Sequence, residues 1–190
     1  MKSFIKPVIL FLALLLPVCV FIFLKIFGAN QFDIPLYYQT VGDIPEETEE
    51  ICGNVDTPYL LNLDEFELFE STSDIPLLEN RITVLAYLPN LDDNHLFSML
   101  SMNERLGTIF QMIIFTDSFS NDIFKGKNYV TFKAGENVGN FWQCGLLNNN
   151  YEKWVLIDTK RRIRGYYEVT EKEIDRLIVE IKILSENSHK

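Results

Sequence analysis

Two cysteines outside the apolar N-terminus carry the most reactive side chains of this sequence. Cys52 and Cys144 lie 92 positions apart, so they do not form the C-x-x-C motif of a redox-active pair. In an oxidising compartment they could join as a structural disulfide. The alternatives are two separate thiols, or a pair that exchanges disulfides with a partner, and the sequence leaves these three interpretations open.

One of the two histidines has acidic neighbours. His95 follows Asp92 and Asp93 at the predicted start of a helix. Together these side chains could bind a divalent metal weakly or act in acid–base chemistry. The simpler interpretation is a polar first turn, in which the aspartates are favoured by the positive end of the helix dipole. His189 is the next-to-last residue, and we assign it no role.

The main basic cluster follows a predicted strand and consists of Lys160, Arg161, Arg162 and Arg164. It could dock an acidic partner or the chain's own acidic stretch, but charged residues in a hairpin turn are most often simply solvated. The sequence contains no glycine-rich phosphate loop, no Ser-His-Asp set and no paired zinc-ligand spacing. We therefore expect no enzymatic activity and no metal or other cofactor.

The charge of the chain is unevenly distributed. The net charge is −10, and 13 of the 27 acidic residues lie between Asp33 and Glu79, a span without lysine or arginine. From Arg81 to Lys190, 14 acidic residues balance 14 basic residues. A chain this acidic lacks the positive surface that binds phosphate backbones, so nucleic-acid binding is excluded.

The N-terminal region contains a long apolar run. Pro7 to Leu24 is uncharged and would span roughly 27 Å as a helix, about the thickness of a hydrocarbon core. A cleaved signal peptide is the alternative, but its apolar region would be shorter, at about 7 to 15 residues. Lys2 and Lys6 precede the run and acidic residues follow it, which places the N-terminus in the cytoplasm. We predict an uncleaved, single-pass anchor in the cell inner membrane with a periplasmic C-terminal part.

These features divide the chain into four predicted regions. Residues 1–6 form a cytoplasmic N-terminus, 7–27 a transmembrane signal anchor, 28–57 an acidic tether and 58–190 a single domain. The tether is expected to be solvent-exposed because it carries prolines and glutamates and few bulky residues.

Within the domain, hydrophobic periodicity predicts an α/β fold. Residues 58–69 suggest a short strand pair, and Thr170 begins a capping box for a C-terminal helix that buries residues 174, 177, 178, 181 and 184. Asn94 is predicted to cap the first helix, which Gly107 would end. The remaining predicted elements are strands 81–88, 109–116, 129–133, 153–158 and 163–168, and helices 95–106 and 138–147. A strand, helix and strand followed by a hairpin and a final helix is the order of a thioredoxin-like domain with a mixed central sheet.

The C-terminal stretch and the N-terminal anchor resemble one family. Residues 154–167 read WVLIDTKRRIRGYY, and Thr170 and residues 173–178 (EIDRLI) follow. This pattern, with the anchor that leads into FDIPLYY at 32–38, resembles the Sco/SenC family, closest to its membrane-anchored bacterial members. The resemblance implies a thioredoxin fold that holds copper with a C-x-x-x-C pair and a distant histidine and serves cytochrome c oxidase assembly.

The expected copper ligands are absent from this sequence. Aligning the strand that precedes the ligand loop places Asn90 and Asn94 at the two cysteine positions, and counting back from Trp154 places Asn150 at the histidine position. No cysteine occurs from Gly53 to Gln143. Because Cu(I) prefers thiolates, we expect a degenerate copper site.

We therefore predict a non-catalytic protein that binds a respiratory-complex or assembly-factor partner. A thiol–disulfide redox protein and a copper chaperone with atypical ligands are the alternatives.

Overall fold

The computed structural model describes residue 11 and residues 14–23, 34–66, 80–117 and 128–188. It divides into two units, one up to Asp33 and the other from Ile34 to Lys190. In the first unit, residues 14–23 are helical and expose their apolar side chains. None of the helices in the described ranges is both long and apolar enough to span a bilayer. The predicted anchor at 7–27 lies partly outside these ranges and remains a prediction.

The second unit is built on a five-stranded mixed sheet. Its strands are β1 (Ile82–Tyr87), β2 (Phe110–Thr116), β3 (Tyr129–Lys133), β4 (Trp154–Ile157) and β5 (Ile163–Tyr167). They are arranged in the order β3-β2-β1-β4-β5. β1, β2 and β3 run parallel, whereas β4 is antiparallel to both β1 and β5. The five strands predicted between residues 81 and 168 are all confirmed, within one residue at each end.

Both faces of the sheet are covered, and this explains why β1 and β2 are mostly apolar and buried along nearly their whole length. The helices are α1 (Glu46–Cys52), α2 (Asp93–Leu106), α3 (Val138–Asn140), which continues as a π-helical turn (Phe141–Gly145), and α4 (Glu171–Ser188). On one face, Val84 and Ala86 of β1 pack in a core with side chains of α2 and α4. On the other face, Leu85 packs with residues of the π-helical turn and of the segment 34–66.

The helix α2 begins two residues earlier than predicted. Asp92, rather than Asn94, is its N-cap, because the Asp92 carboxylate accepts a hydrogen bond of 2.8 Å from the backbone N–H of His95. The helix ends at Gly107, as predicted, where φ is +57° and the Gly107 N–H donates to the carbonyl of Asn103. A positive φ is easily adopted by glycine, so this residue terminates the helix with little strain.

The helix α4 follows its predicted pattern. The Thr170 hydroxyl accepts a hydrogen bond of 3.4 Å from the backbone N–H of Glu173, which is one half of the predicted capping box. The buried residues are those that the 3-4-7 spacing selects, namely Ile174, Leu177, Ile178, Ile181 and Leu184.

The predicted tether is wrong from Ile34 onward, because residues 34–57 belong to the globular unit. Ile34, Tyr38 and Ile44 are buried in the two cores. The backbone N–H of Tyr37 donates to the carbonyl of Ile163 at 3.2 Å, which attaches the segment to β5. The acidic residues of this segment lie mainly on its solvent side, so a few well-spaced apolar residues are enough to hold it on the core.

Two smaller expectations also need correction. Residues 58–66 contain a single turn of 3₁₀ helix at Asp64–Phe66 and no strand, and 67–69 lie outside the described residues. The helix predicted at 138–147 is a short α-helix followed by a π-helical turn. In 58–66 the buried Leu61 and Leu63 alternate as in a strand, but the backbone N–H groups of Tyr59 and Leu61 donate to the carbonyls of Tyr38 and Arg161, which lie outside the strands.

Candidate functional site

The sheet topology brings three chain segments together where β1, β4 and β5 have neighbouring ends. β4 runs antiparallel to both β1 and β5. The C-terminal ends of β1 and β5 therefore lie beside the N-terminal end of β4, on the same side of the sheet. The segments are the loop from β1 into α2, the loop before β4, and the junction from β5 to α4. They enclose a cleft of 1020 Å³.

The lining of this cleft is polar and aromatic. It combines amides, carboxylates, one imidazole, one ammonium group and two phenol rings. Lys153 and Glu168 face each other there across a distance of 3.9 Å between Nζ and Oε1. The rings of Tyr87 and Tyr151 meet edge to face, with centroids 6.5 Å apart. Such a surface offers hydrogen bonds and ring contacts to a polar ligand or to a segment of a partner protein.

His95 and Asp92 form a local pair in the lining of the cleft. Nδ1 of His95 lies 2.6 Å from Oδ1 of Asp92, and the imidazole faces the buried Trp154 ring with centroids 6.4 Å apart. The backbone N–H of His95 is the main cause that lowers the pKa of Asp92. The pair thus fixes the first turn of α2. Asp93 is exposed and is not among the residues that line the cleft.

Two of the three asparagines at the expected ligand positions line the cleft. Asn90 and Asn150 do so, whereas Asn94 is exposed on the first turn of α2 and does not. The side-chain oxygen of Asn150 accepts a hydrogen bond of 2.9 Å from the backbone N–H of Glu152, which shapes the turn before β4. Asn150 therefore has a structural role that sequence alignment alone did not reveal.

The donor atoms of the cleft do not fit Cu(I). They are amide, carboxylate and hydroxyl oxygens, the amine of Lys153 and a single imidazole, whereas a soft cation prefers thiolate or several imidazole ligands. In the described ranges, no three His, Cys, Asp or Glu side chains are grouped as a metal site would require. The cysteines are not available either, since both of those in the globular unit are bonded to each other.

Cys52 and Cys144 form a disulfide, with their Cα atoms 5.4 Å apart. Cys52 is the last residue of α1, and Cys144 lies in the π-helical turn, on the face of the sheet opposite α2. The bond closes a loop of 92 residues. In the chain-entropy model this loop length corresponds to a stabilisation of about 4 to 5 kcal/mol.

Three tyrosines hold the backbone that follows this disulfide. Burial raises the pKa of the Tyr166, Tyr59 and Tyr38 hydroxyls, which keeps them protonated as donors. They donate to three consecutive carbonyls, with Tyr59 bonded to Gly145 at 2.7 Å, Tyr166 to Leu146 at 2.6 Å and Tyr38 to Leu147 at 3.2 Å. This arrangement fixes the chain that leads from Cys144 to the cleft. The overlooked signal was Tyr38, an aromatic residue in the segment interpreted as a tether.

Two of the four cations of the basic cluster, Arg162 and Arg164, are paired with the Asp158 carboxylate within the fold. The buried Asp158 carboxylate lies 2.7 Å from Nη2 of Arg162 and 3.5 Å from Nη1 of Arg164, and it accepts a hydrogen bond of 2.8 Å from the backbone N–H of Lys160. Arg164 is itself buried, so it is not part of a docking patch, and this part of the prediction is wrong. Lys160 is exposed and Arg161 half-buried. Sequence reasoning missed Asp158, although an aspartate between an apolar strand and an arginine-rich turn is a signal of such a pair.

The order and direction of the strands, with helices on both faces, define a thioredoxin-like fold. No family model matches the sequence, and neither does any curated protein.

The structure is similar to solved structures of Sco/SenC proteins. A SCO1/SenC family lipoprotein from Bacillus anthracis has 13% identity and a TM-score of 0.45, with 57% of this chain and 83% of that chain covered. BsSco, described as a member of the Sco family of cytochrome c oxidase assembly proteins, has 11% identity and a TM-score of 0.47, with coverages of 57% and 82%. A putative protein disulfide isomerase from Bacteroides thetaiotaomicron has 13% identity and a TM-score of 0.44, with coverages of 59% and 78%. At these identities the likeness concerns the fold alone.

Proposed function

We propose that this protein is a non-catalytic binding protein of Sco/SenC-like thioredoxin fold that acts in assembly near the respiratory chain. Its part in cytochrome c oxidase biogenesis would be to bind a respiratory-complex or assembly-factor protein, without holding copper as the family does. The assembly role rests on the resemblance of the C-terminal stretch and the N-terminal anchor to that family.

The observation that supports a binding role without copper is the composition of the cleft. The loop after β1 and the turn before β4 converge there, but they bring together the amides of Asn90 and Asn150 and the imidazole of His95. Amides and tyrosine rings are suited to a polypeptide or another polar partner, and they are weak ligands for a soft cation.

Competition for Cu(I) tests this proposal. The full chain, purified in mild detergent, is equilibrated with Cu(I) and a strong Cu(I) chelator, and retained copper is measured by elemental analysis. We expect no stoichiometric copper on the natural chain. Restoring the ligand set with Asn90→Cys, Asn94→Cys and Asn150→His should create binding. The matched control, Asn90→Ser with Asn94→Ser and Asn150→His, changes the same three positions without adding thiolates and should bind no stoichiometric copper.

Retention of copper by the natural chain would contradict the proposal. Loss of that copper in His95→Ala would instead identify a chaperone with atypical ligands, one of which is the His95 imidazole in the cleft.

Disulfide exchange is the second candidate function, because both sulfurs of the Cys52–Cys144 bond belong to half-buried residues near the surface. Alkylation of thiols before and after mild reductant measures how readily the bond opens. A redox protein would lose its function in Cys52→Ser, whereas a binding protein would lose only stability.

We also propose that the chain is anchored in the inner membrane by 7–27 with the globular unit in the periplasm. The two lysines before the apolar run and the acidic residues after it support this orientation. A reporter fused after Lys190 should be active in the periplasm. Activity in the cytoplasm alone would show that the orientation is reversed.

A further inference from the structure

The outward face of α2 has an unusual composition. Asp93, Phe97, Leu100 and Glu104 are spaced at i, i+4, i+7 and i+11, so they form a single stripe along the helix. All four residues are exposed. The buried residues of α2 lie on the opposite side and are Ser98, Met99, Met102 and Leu106. We call this stripe, residues 93, 97, 100 and 104, the α2 stripe.

The middle of the α2 stripe is apolar. Phe97 is 69% exposed and Leu100 is 67% exposed. An amphipathic helix normally carries polar residues at the centre of its solvent face. Isolated exposed apolar residues are ordinary on protein surfaces, but a phenyl ring beside an isobutyl group one turn away forms a contact patch. A partner that covers this patch would remove its apolar surface from water, which favours binding.

The two ends of the α2 stripe are acidic. Asp93 and Glu104 lie 11 positions apart, or roughly 16 Å along the helix axis. Arg105 is the only cation within α2, and its guanidinium is bonded to the Asp175 carboxylate of α4. The stripe therefore presents two negative charges that bracket an apolar centre.

We propose that the α2 stripe docks a basic amphipathic helix of a partner protein, with two apolar side chains bracketed by lysine or arginine about three turns apart. Burial of Phe97 and Leu100 supplies the affinity, and the two carboxylates select the charge of the partner. The inference rests on the proposed binding role and specifies the class of partner.

The charges also decide against two other occupants. A second copy docking stripe against stripe would bring carboxylates together at both ends. An anionic lipid surface would be repelled by the same carboxylates, and the net charge of −10 adds to that repulsion.

Synthetic peptides of about fifteen residues provide the test. One alanine-based helix carries Lys, Leu, Leu and Lys at the spacing of the stripe, a second carries Glu instead of Lys, and a third carries Ala instead of Leu. Binding to the full chain in mild non-ionic detergent is measured by fluorescence anisotropy at low and at physiological salt. We expect the first peptide to bind more tightly than either of the other two by roughly tenfold or more, with affinity that falls as salt rises.

Variants of the chain then locate the site. Phe97→Ser with Leu100→Ser should weaken binding of the first peptide by roughly tenfold or more. Val179→Ser, at an apolar residue of α4 that is 50% exposed, is the matched control and should leave binding unchanged. These positions are exposed, so circular dichroism should report an unchanged fold for each variant.

A charge exchange separates the α2 stripe from the overall negative charge. Asp93→Lys with Glu104→Lys should reverse the preference toward the glutamate peptide. Glu171→Lys with Glu186→Lys makes the same change in net charge on exposed positions of α4 and should preserve the preference for the lysine peptide.

Three results would overturn the inference. The first is equal binding of all three peptides. The second is equal effects of the α2 and α4 variants on peptide binding. The third is self-association or binding to anionic lipid that the double variant Phe97→Ser with Leu100→Ser abolishes, while no peptide binds. The copper competition tests the proposed function separately, so failure of one experiment is distinguishable from failure of the other.

Discussion

Removal of the Asp158 carboxylate should be among the most damaging single changes in this fold. The side chain of Asp158 is 4% exposed and that of Arg164 is 8% exposed, so their ion pair is shielded from water. The Arg164 guanidinium also donates to the carbonyl of Ile34 at 2.7 Å, which joins the start of the globular unit to β5. Asp158→Ala would leave this cation buried without its carboxylate.

The expected loss follows from the cost of a buried charge. Removing one partner of a buried ion pair destabilises a protein by about 3 to 5 kcal/mol, because the remaining charge stays buried without a counter-charge. Asp158→Ala also removes the acceptor for the backbone N–H groups of Lys160 and Arg162, which shape the turn. We therefore expect a loss of about 3 to 5 kcal/mol in the free energy of unfolding, measured by urea denaturation of the full chain.

Two further variants make the result interpretable. Glu168→Ala removes an exposed carboxylate that lies 3.9 Å from Lys153, and the loss should be under about 1 kcal/mol. Asp158→Asn combined with Arg164→Met removes both buried charges and should be more stable than Asp158→Ala. Hydrogen exchange of residues 34–44 should accelerate in Asp158→Ala. A loss near that of Glu168→Ala, or a double variant less stable than Asp158→Ala, would refute this reasoning.

Three other predictions follow from the packing. Leu177→Ala, at a fully buried position of α4, should lower the free energy of unfolding by about 2 to 5 kcal/mol. Glu47→Ala, on the exposed side of α1, should change it by no more than about 0.5 kcal/mol. Equal losses in urea titrations would contradict the assigned core. Burial raises the pKa of Tyr129 from its ordinary value of 10.0 to about 12, so the folded state keeps this proton longer than the unfolded state. This contribution to stability is complete below pH 10 and falls as the pH rises toward 12. Tyr129→Phe should therefore make the alkaline loss of stability shallower, and the remaining slope belongs to the other buried tyrosines, whose pKa values burial also raises. Cys52→Ser should lower the free energy of unfolding by about 2 to 5 kcal/mol, and an unchanged midpoint would show that the disulfide does not restrict the unfolded chain.

Local patterns predicted most of the regular elements. The apolar run of β1 and the 3-4-7 spacing of α4 depend on the repeat of a strand and of a helix, and each can be recognised within one short segment. The hairpin of β4 and β5 and the end of α2 at Gly107 are similarly local. The absence of cysteine between Gly53 and Gln143 also sufficed to predict a loop without thiolates after β1.

Contacts between distant residues could not be predicted in this way. The segment 34–57 has too few apolar residues to show a period, yet Tyr38 packs against a loop more than 100 positions away. The N-cap at Asp92 was misassigned because aspartate and asparagine are both good caps, and only the backbone conformation distinguishes them.

The sequence by itself determined the type and order of the strands and helices, because hydrophobic periodicity and caps act over a few residues. The tertiary structure decided which side chains share a site. It paired Cys52 with Cys144, buried Arg164 against Asp158, and brought Asn90 and Asn150 into one cleft. These juxtapositions depend on strand order and on sheet faces, which join residues far apart in the chain, so no local pattern specifies them.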